Sequence, residues 1–167
     1  MKTLFVLRHA KSSWDDPDLA DYDRPLNGRG NETAPFMGKV MTRNKFTPEL
    51  ILASPAARAR ETAVLVRKSA EFKADIKHDE RIYEASPQTL LQVVAGIDDA
   101  FESAMLVGHN PGMEGFIRLT TGKPESMPTA ALAVIDLEID EWQQIAAGSG
   151  TLRKVIRPKD EIKRLRT

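Results

Sequence analysis

Three short apolar runs in this chain stop on residues able to handle an anion. "TLFVL" (3–7) runs into Arg8 and His9, "ELILA" (49–53) into Ser54-Pro55 with Arg58 one turn further on, and "AMLVG" (104–108) into His109. A lone histidine or arginine at such a place is ordinary, and the repetition is what points to chemistry. The chain has three histidines, two of which follow apolar runs directly, while His78 sits in the charged stretch "KHDER" that reads as exposed. A cluster of Arg8, His9, Arg58 and His109 suits a phosphoryl group. Guanidinium forks donate paired hydrogen bonds to adjacent phosphate oxygens. Ser54 and Pro55, read as the cap and first position of a helix, add the partial positive charge of a helix start. A neutral imidazole keeps one nitrogen free to attack phosphorus while the arginines and the second histidine neutralise the equatorial oxygens. His9 or His109 is then the nucleophile, the intermediate is a phosphohistidine that water hydrolyses, and the scheme calls for no metal and no cofactor.

A metal site is the natural competitor, since Asp15, Asp16, Asp18, Asp21 and Asp23 lie near His9 in sequence. It ranks lower. No paired-ligand spacing such as HExxH occurs, and the guanidinium groups flanking the histidines would repel a dication. The acidic run "DDPDLADYD" reads instead as a solvated loop over the site entrance.

The elements that must position these residues alternate in kind. Besides the three runs above, "ALAVIDL" (131–137) and "TLRKVI" (151–156) are strand candidates. Between them lie helical patterns: one from Ser54-Pro55, one from Ser86-Pro87, one from about Asn31 to Arg43 with Pro35 marking its first turn or bending it, and one after "GHNPGM" that stops at Gly122. Alternation of this kind predicts an α/β fold in three layers, a mostly parallel sheet with helices on both faces. Function in such sheets sits beyond the carboxyl ends of the strands, where the cationic residues fall. Residues 158–167, "PKDEIKRLRT", read as a solvated mixed-charge terminus.

Composition narrows the partners. At 167 residues and 41% hydrophobic content the expectation is one domain over residues 1–167 with an ordinary core. Lys and Arg number 24, as do Asp and Glu, so no global field favours nucleic acid or an anionic membrane and any anion site must be local. No cysteine is present, which removes thiolate ligands and nucleophiles. "MKTLFVL" is too short for a signal-peptide core and no run approaches a membrane span, so the expected location is cytoplasmic.

Taken together, "LRHAKSS", "RPLNGRG", "LASPAARARETA" and "LVGHNPGM" resemble the histidine phosphatase superfamily, and specifically its short SixA-type phosphohistidine phosphatase branch, over most of the chain and in order. The resemblance implies a phosphoglycerate-mutase-like fold without a large lid insertion, transient phosphorylation of His9, and a pocket completed by Arg8, Arg58 and His109. It also implies that Arg24, of the "RPL" stretch, faces the phosphate. Ser12 takes the place of a serine in the mutase "RHGES" motif and is expected either to bind substrate or to act as a structural hydroxyl in the turn. Glu80 of "DERIYEA" matches the general acid of the "NERxYG" motif, with Glu84 close by. Where the family has "RHG" this chain has Ala10, whose backbone must accommodate a Cβ.

The expected substrate is a phosphohistidine displayed on another protein, because a short chain leaves little material for a lid and Trp14 and Tyr22 offer a rim for a protein partner. Two alternatives stay open: a phosphomonoesterase or phosphomutase acting on a small phosphate ester, with Glu80 as its acid, and a non-catalytic module that only binds phosphorylated groups.

Overall fold

The computed structural model describes residues 1–166. Six strands form one sheet in the order β3-β2-β4-β1-β5-β6, with β1 Lys2–Arg8, β2 Leu50–Ala53, β3 Asp75–His78, β4 Ser103–Gly108, β5 Leu132–Leu137 and β6 Gly150–Ile156. The β3, β2, β4 and β1 strands run parallel, while β5 and β6 are antiparallel to their neighbours, giving the mostly parallel sheet expected. Five helices accompany it: α1 Gly28–Arg43, α2 Ala57–Ala70, α3 Pro87–Ala95, α4 Gly112–Thr121 and α5 Pro158–Leu165.

The apolar run of β1 is continuous because both of its faces are covered. Phe5 and Leu7 face the layer that contains Ala34 and Met37 of α1 and Ala63 and Val66 of α2. Leu4 and Val6 face the layer built from Leu90 and Val93 of α3, Phe116 and Ile117 of α4, and Trp142. The two helices of the first layer approach closely at Gly38, where a Cβ would come within 2.0 Å of Ser69 Oγ and 2.8 Å of the Val66 carbonyl. No helix among the described residues is long and apolar enough to cross a membrane.

Three expectations need correction. The α1 helix starts at Gly28 rather than Asn31, capped by Asn27, whose side chain accepts from the Gly30 amide (2.8 Å); Pro35 lies well inside it. The α2 helix starts at Ala57 behind Ala56, not at Ser54-Pro55, because the Ser54 hydroxyl is claimed by the site described below. Residues 158–165 are not a loose terminus. They form α5, with Pro158 in its first turn and a Glu161–Arg164 ion pair along its side; Pro158, Ile162 and Leu165 fall at i, i+4, i+7 on one face, a short helical pattern of which only Pro158 is buried. By contrast, α3 begins as read, the Ser86 hydroxyl accepting from the Thr89 amide, and α4 ends at Gly122 with φ 76°.

Candidate active site

The three cationic strand endings meet because their strands are neighbours. Arg8 pairs with Gly108 across β1 and β4, and Ala53 pairs with Val107 across β2 and β4, so the three strands finish nearly level. The ladder runs one residue further: the His9 amide donates to the Gly108 carbonyl and the Ser54 amide to the Val107 carbonyl, both at 3.0 Å. His9 and His109 therefore lie side by side, ring centroids 5.1 Å apart and planes 51° apart. Arg58 reaches the same place from the first turn of α2. His9, Arg58 and His109 are all buried, and Arg8 is half-buried.

Each imidazole is oriented by its neighbours. His9 Nδ1 lies 2.7 Å from the Ala10 carbonyl, which can only accept, so Nδ1 carries the proton and Nε2 keeps its lone pair. His109 Nε2 lies 2.8 Å from Ser54 Oγ, while its Nδ1 is buried without a partner among the described residues. The Ser54 oxygen already accepts from the Ala56 amide (3.2 Å). With its own proton given to His109 Nε2, the ring holds Nδ1–H as a spare donor. Burial pushes both rings below the ordinary imidazole range. His9 falls to about 4, with Arg58, Arg8 and Arg24 adding to the effect of burial, and His109 to about 3, with His9 and Arg58 adding.

The arginines are fixed as firmly. Arg8 Nη1 donates to the Met127 carbonyl at 3.1 Å, and the Met127 amide in turn donates to Glu114 Oε2 at 2.9 Å. Asn110 closes this network, its side-chain amide reaching Glu114 Oε2 (2.7 Å) and the Met127 carbonyl (2.9 Å). Arg58 donates through Nη1 to the Asp21 carbonyl and through Nη2 to the Asp21 carboxylate. Arg24 is buried, donates from Nε to Asp21 Oδ1 (3.2 Å), and stacks on the Trp14 ring with its guanidinium carbon 3.4 Å from the centroid. Tyr83 adds a hydroxyl to Asp21 Oδ2 at 2.7 Å and sets its ring edge-on to His109. Burial alone would raise the Asp21 carboxyl, but the hydrogen bonds from Tyr83, Arg58 and Arg24 hold it at about 2.

The acidic run is thus not a uniformly solvated loop. Asp21, itself exposed, reaches in to bond Arg58, Arg24 and Tyr83, and it is one of five aspartates that composition alone cannot tell apart. The loop carrying it is closed at its base by Ser12, which bridges to Leu26, and by the flanking pairs Ser13–Pro25 (2.8 Å) and Asn27–Lys11 (3.0 Å). The α1 helix packs against that base through Gly30, where a Cβ would lie 2.1 Å from the Lys11 carbonyl. Ala10 needs no left-handed backbone: the non-glycine residues with positive φ are Lys45, Glu71, Glu84 and Ala130. Its amide donates to Thr62 Oγ1 (2.9 Å), and that hydroxyl donates to the Arg58 carbonyl (2.7 Å), joining the His9 segment to α2.

The remaining sequence candidates lie further out. Glu80 stays exposed on the rim and accepts from the Tyr22 hydroxyl (3.1 Å), and Tyr22 in turn packs edge-on against Tyr83. Glu84 is exposed. Tyr83, Glu114 and Asn110 escaped the sequence reading, although "HNPGME" places the last two within five residues of His109.

This arrangement, two imidazoles and two arginines at the carboxyl ends of adjacent parallel strands, agrees with what the chain resembles. Residues 4–105 match the family model of the histidine phosphatase superfamily (branch 1). An uncharacterized protein of Mycobacterium leprae is 31% identical over 159 residues, covering 87% of this chain and 96% of that one. An uncharacterized chloroplastic protein of Arabidopsis thaliana is 28% identical over 160 residues, covering 89% of this chain and 72% of that one. Among solved structures, a protein of Agrobacterium tumefaciens assigned as the phosphohistidine phosphatase SixA superposes with a TM-score of 0.81 at 31% identity, covering 94% of this chain and 98% of that one. The protein histidine phosphatase SixA complexed with tungstate has the same fold, with a TM-score of 0.82 at 20% identity over 95% of this chain and 99% of that one. The chain belongs to the histidine phosphatase superfamily, a family of phosphatases, and its fold is the phosphoglycerate-mutase-like one.

Proposed function

We propose that the protein is a phosphohistidine phosphatase of the SixA type, acting on phosphorylated protein through a covalent phosphohistidine on His9. The observation that carries this reading is the fixed tautomer of His9, with Nδ1–H given to the Ala10 carbonyl and Nε2 free beside Arg8, Arg58 and His109. In the first step Nε2 attacks phosphorus and the bond between phosphorus and the substrate imidazole breaks. The substrate ring leaves neutral when its distal nitrogen carries a proton, while the His9 ring becomes cationic with Nδ1–H still on Ala10. The phosphoryl group and the positive charge thus pass from one ring to a like ring, each keeping its own N–H. Water then attacks phosphorus, the bond to Nε2 breaks, inorganic phosphate departs, and His9 returns to its neutral tautomer. Arg8, Arg58 and the Nδ1–H of His109 hold the equatorial oxygens, with Arg24 beyond them.

The geometry also supports the choice of leaving group. An alkoxide needs an acid to protonate it. Asp21, the carboxylate closest to the guanidiniums, is held ionised at about 2, and Glu80 is on the rim. An imidazole leaves without such help. In this reading Ser12 serves the turn rather than the substrate, and the cytoplasmic setting expected from the sequence is retained.

The test compares wild type and His9→Ala on a phosphohistidine peptide, a phosphoserine peptide and a sugar phosphate, with radiolabelled phosphate followed onto the protein. The reading expects label on wild type only and kcat/KM at least a hundredfold higher for the phosphohistidine peptide. Equal or better turnover of the sugar phosphate would assign a small-ester phosphatase, and binding without label a non-catalytic module.

A further inference from the structure

Beside the catalytic cluster lies a groove of about 850 Å³ between α1 and α5. Both helices turn one stripe toward it. From α1 come Arg29, Glu32, Thr33 and Phe36, and from α5 and its C-cap come Lys159, Ile162, Lys163 and Arg166, each set spaced i, i+3, i+4, i+7 and so on one helical face. Lys11 closes one end. The groove therefore gathers five cations against the single carboxylate of Glu32, in a chain whose formal net charge is zero. All five cations are exposed, and among the described residues none forms an ion pair with a carboxylate. The neighbouring acids of α5 lie off this stripe: Glu161 is paired with Arg164, and Asp160 falls one residue past Lys159. Phe36 gives the groove an apolar wall and Ile162 leaves an exposed apolar side chain in it.

The groove adjoins the reacting centre through shared stretches of chain. Lys11 stands two residues beyond His9. Pro128 and Thr129, which line the groove, connect Met127, the acceptor for Arg8, to Ala130, whose amide donates to the carbonyls of Arg8 (3.1 Å) and His9 (3.0 Å). A macromolecule whose phosphorylated side chain enters at His9 must pass over one side of the rim or another. On this side it meets unpaired cations set around an apolar patch.

We propose that the α1–α5 groove docks the phosphoprotein substrate through an acidic, amphipathic segment, its carboxylates meeting Arg29, Lys159, Lys163 and Arg166 and an apolar side chain meeting Ile162. This rests on the phosphohistidine reading for the substrate, but the surface stands on its own charge pattern. It would raise the encounter rate of acidic partners and orient their phosphorylated residue, and salt would weaken it.

The test uses four kinds of probe: an unphosphorylated acidic amphipathic peptide carrying a fluorophore, a phosphohistidine peptide with either the same acidic flank or a neutral one, p-nitrophenyl phosphate, and a charge-matched single-stranded oligonucleotide. For the double variant Lys159→Glu/Lys163→Glu, fluorescence anisotropy should show the acidic peptide binding at least tenfold more weakly at low salt, with the difference collapsing at high salt. Its kcat/KM on the acidic-flanked phosphopeptide should fall by a similar factor, while p-nitrophenyl phosphate turnover stays within twofold and Lys159→Arg/Lys163→Arg behaves like wild type. Unchanged anisotropy in the Glu variant would overturn the proposal, as would binding of a charge-matched single-stranded oligonucleotide as tightly as the peptide. If the phosphohistidine reading were wrong, both phosphopeptides would be inert while the acidic peptide still bound wild type more tightly than the Glu variant, which would leave the docking surface standing.

Discussion

Asp21 holds Arg58 at two points, its carbonyl accepting from Nη1 at 2.7 Å and its carboxylate from Nη2 at 3.0 Å. The same carboxylate takes Arg24 and Tyr83, so one acidic side chain links the entrance loop to two arginines and an aromatic ring that touches His109. Its charge opposes that of an incoming phosphate while its hydrogen bonds hold the guanidiniums in place. Asp21→Asn keeps much of the shape and removes the charge. Inorganic phosphate should inhibit this variant several-fold more tightly than wild type, and Asp21→Ala, which also loses the orientation, should turn over more slowly. Phosphate inhibition constants measured at one pH check the first and kcat the second, and identical inhibition constants for wild type and Asp21→Asn would count against a competing carboxylate.

Ser54 is the hydrogen-bond partner of His109 Nε2, and a proton donated by its hydroxyl leaves the ring proton on Nδ1. In Ser54→Ala, Nε2 loses its 2.8 Å partner and the ring is free to shift its proton away from Nδ1. We expect kcat to fall about tenfold, in line with the loss of one oriented donor to a transferring group, with KM changing little. Nitrogen NMR on labelled histidine should find the His109 proton on Nδ1 in wild type and distributed over both nitrogens in the variant.

Glu114 acts on Arg8 at one remove, by accepting from the Met127 amide and from the Asn110 side chain, which shares the Met127 carbonyl with Arg8 as acceptor. It is a positioning residue. Glu114→Ala should lower kcat more than it raises KM, and Glu114→Gln should recover most of the loss, because the amide oxygen can still accept from Met127. Equal effects of the two substitutions would show that charge rather than geometry matters there.

Both site histidines are neutral in the folded protein well below the pH at which a free imidazole protonates. Their folded values of about 4 and about 3 lie under an unfolded value of about 6.5. Between roughly pH 6.5 and pH 4 the unfolded chain therefore binds more protons than the native one. Stability is complete above that window and is lost as pH falls through it, at up to about 1.4 kcal/mol per pH unit for each ring. The depressed Asp21 carboxyl contributes in the same sense at lower pH, present above the usual carboxylate range and lost as pH falls toward about 2. Urea unfolding at pH 7.5, 6 and 5 should show a steady decline that is shallower in His9→Asn/His109→Asn.

Much of the site could be read from the chain because its four central residues sit directly after apolar runs or one turn beyond, and the rule that parallel strands offer their carboxyl ends for function is independent of detail. What escaped reading depends on contacts far apart in sequence. Ser54 before Pro55 has every local mark of a helix cap, and only the return of the chain at His109 redirects its hydroxyl. Asp21 is chosen from its acidic neighbours by the fold of the loop. The α5 helix is short, and of its three apolar residues at helical spacing, Pro158, Ile162 and Leu165, only the first is buried, so the pattern resembles a solvated terminus. Ala10, a departure from the glycine of related motifs, proved compatible because its backbone stays out of the left-handed region.

The closure of the entrance loop at Ser12–Leu26 has a consequence for how such a protein can change. Residues beyond the pinch hang from a sealed neck, so added or deleted length between Trp14 and Ala20 costs little closure entropy and leaves the His9 segment anchored to Thr62 and Gly108. Variation in length is thereby confined to the outer arm of the loop, while Asp21 and Arg24 at its inner end stay tied to the reacting centre. The collar can be rewritten, one insertion at a time, while the engine beneath it keeps running.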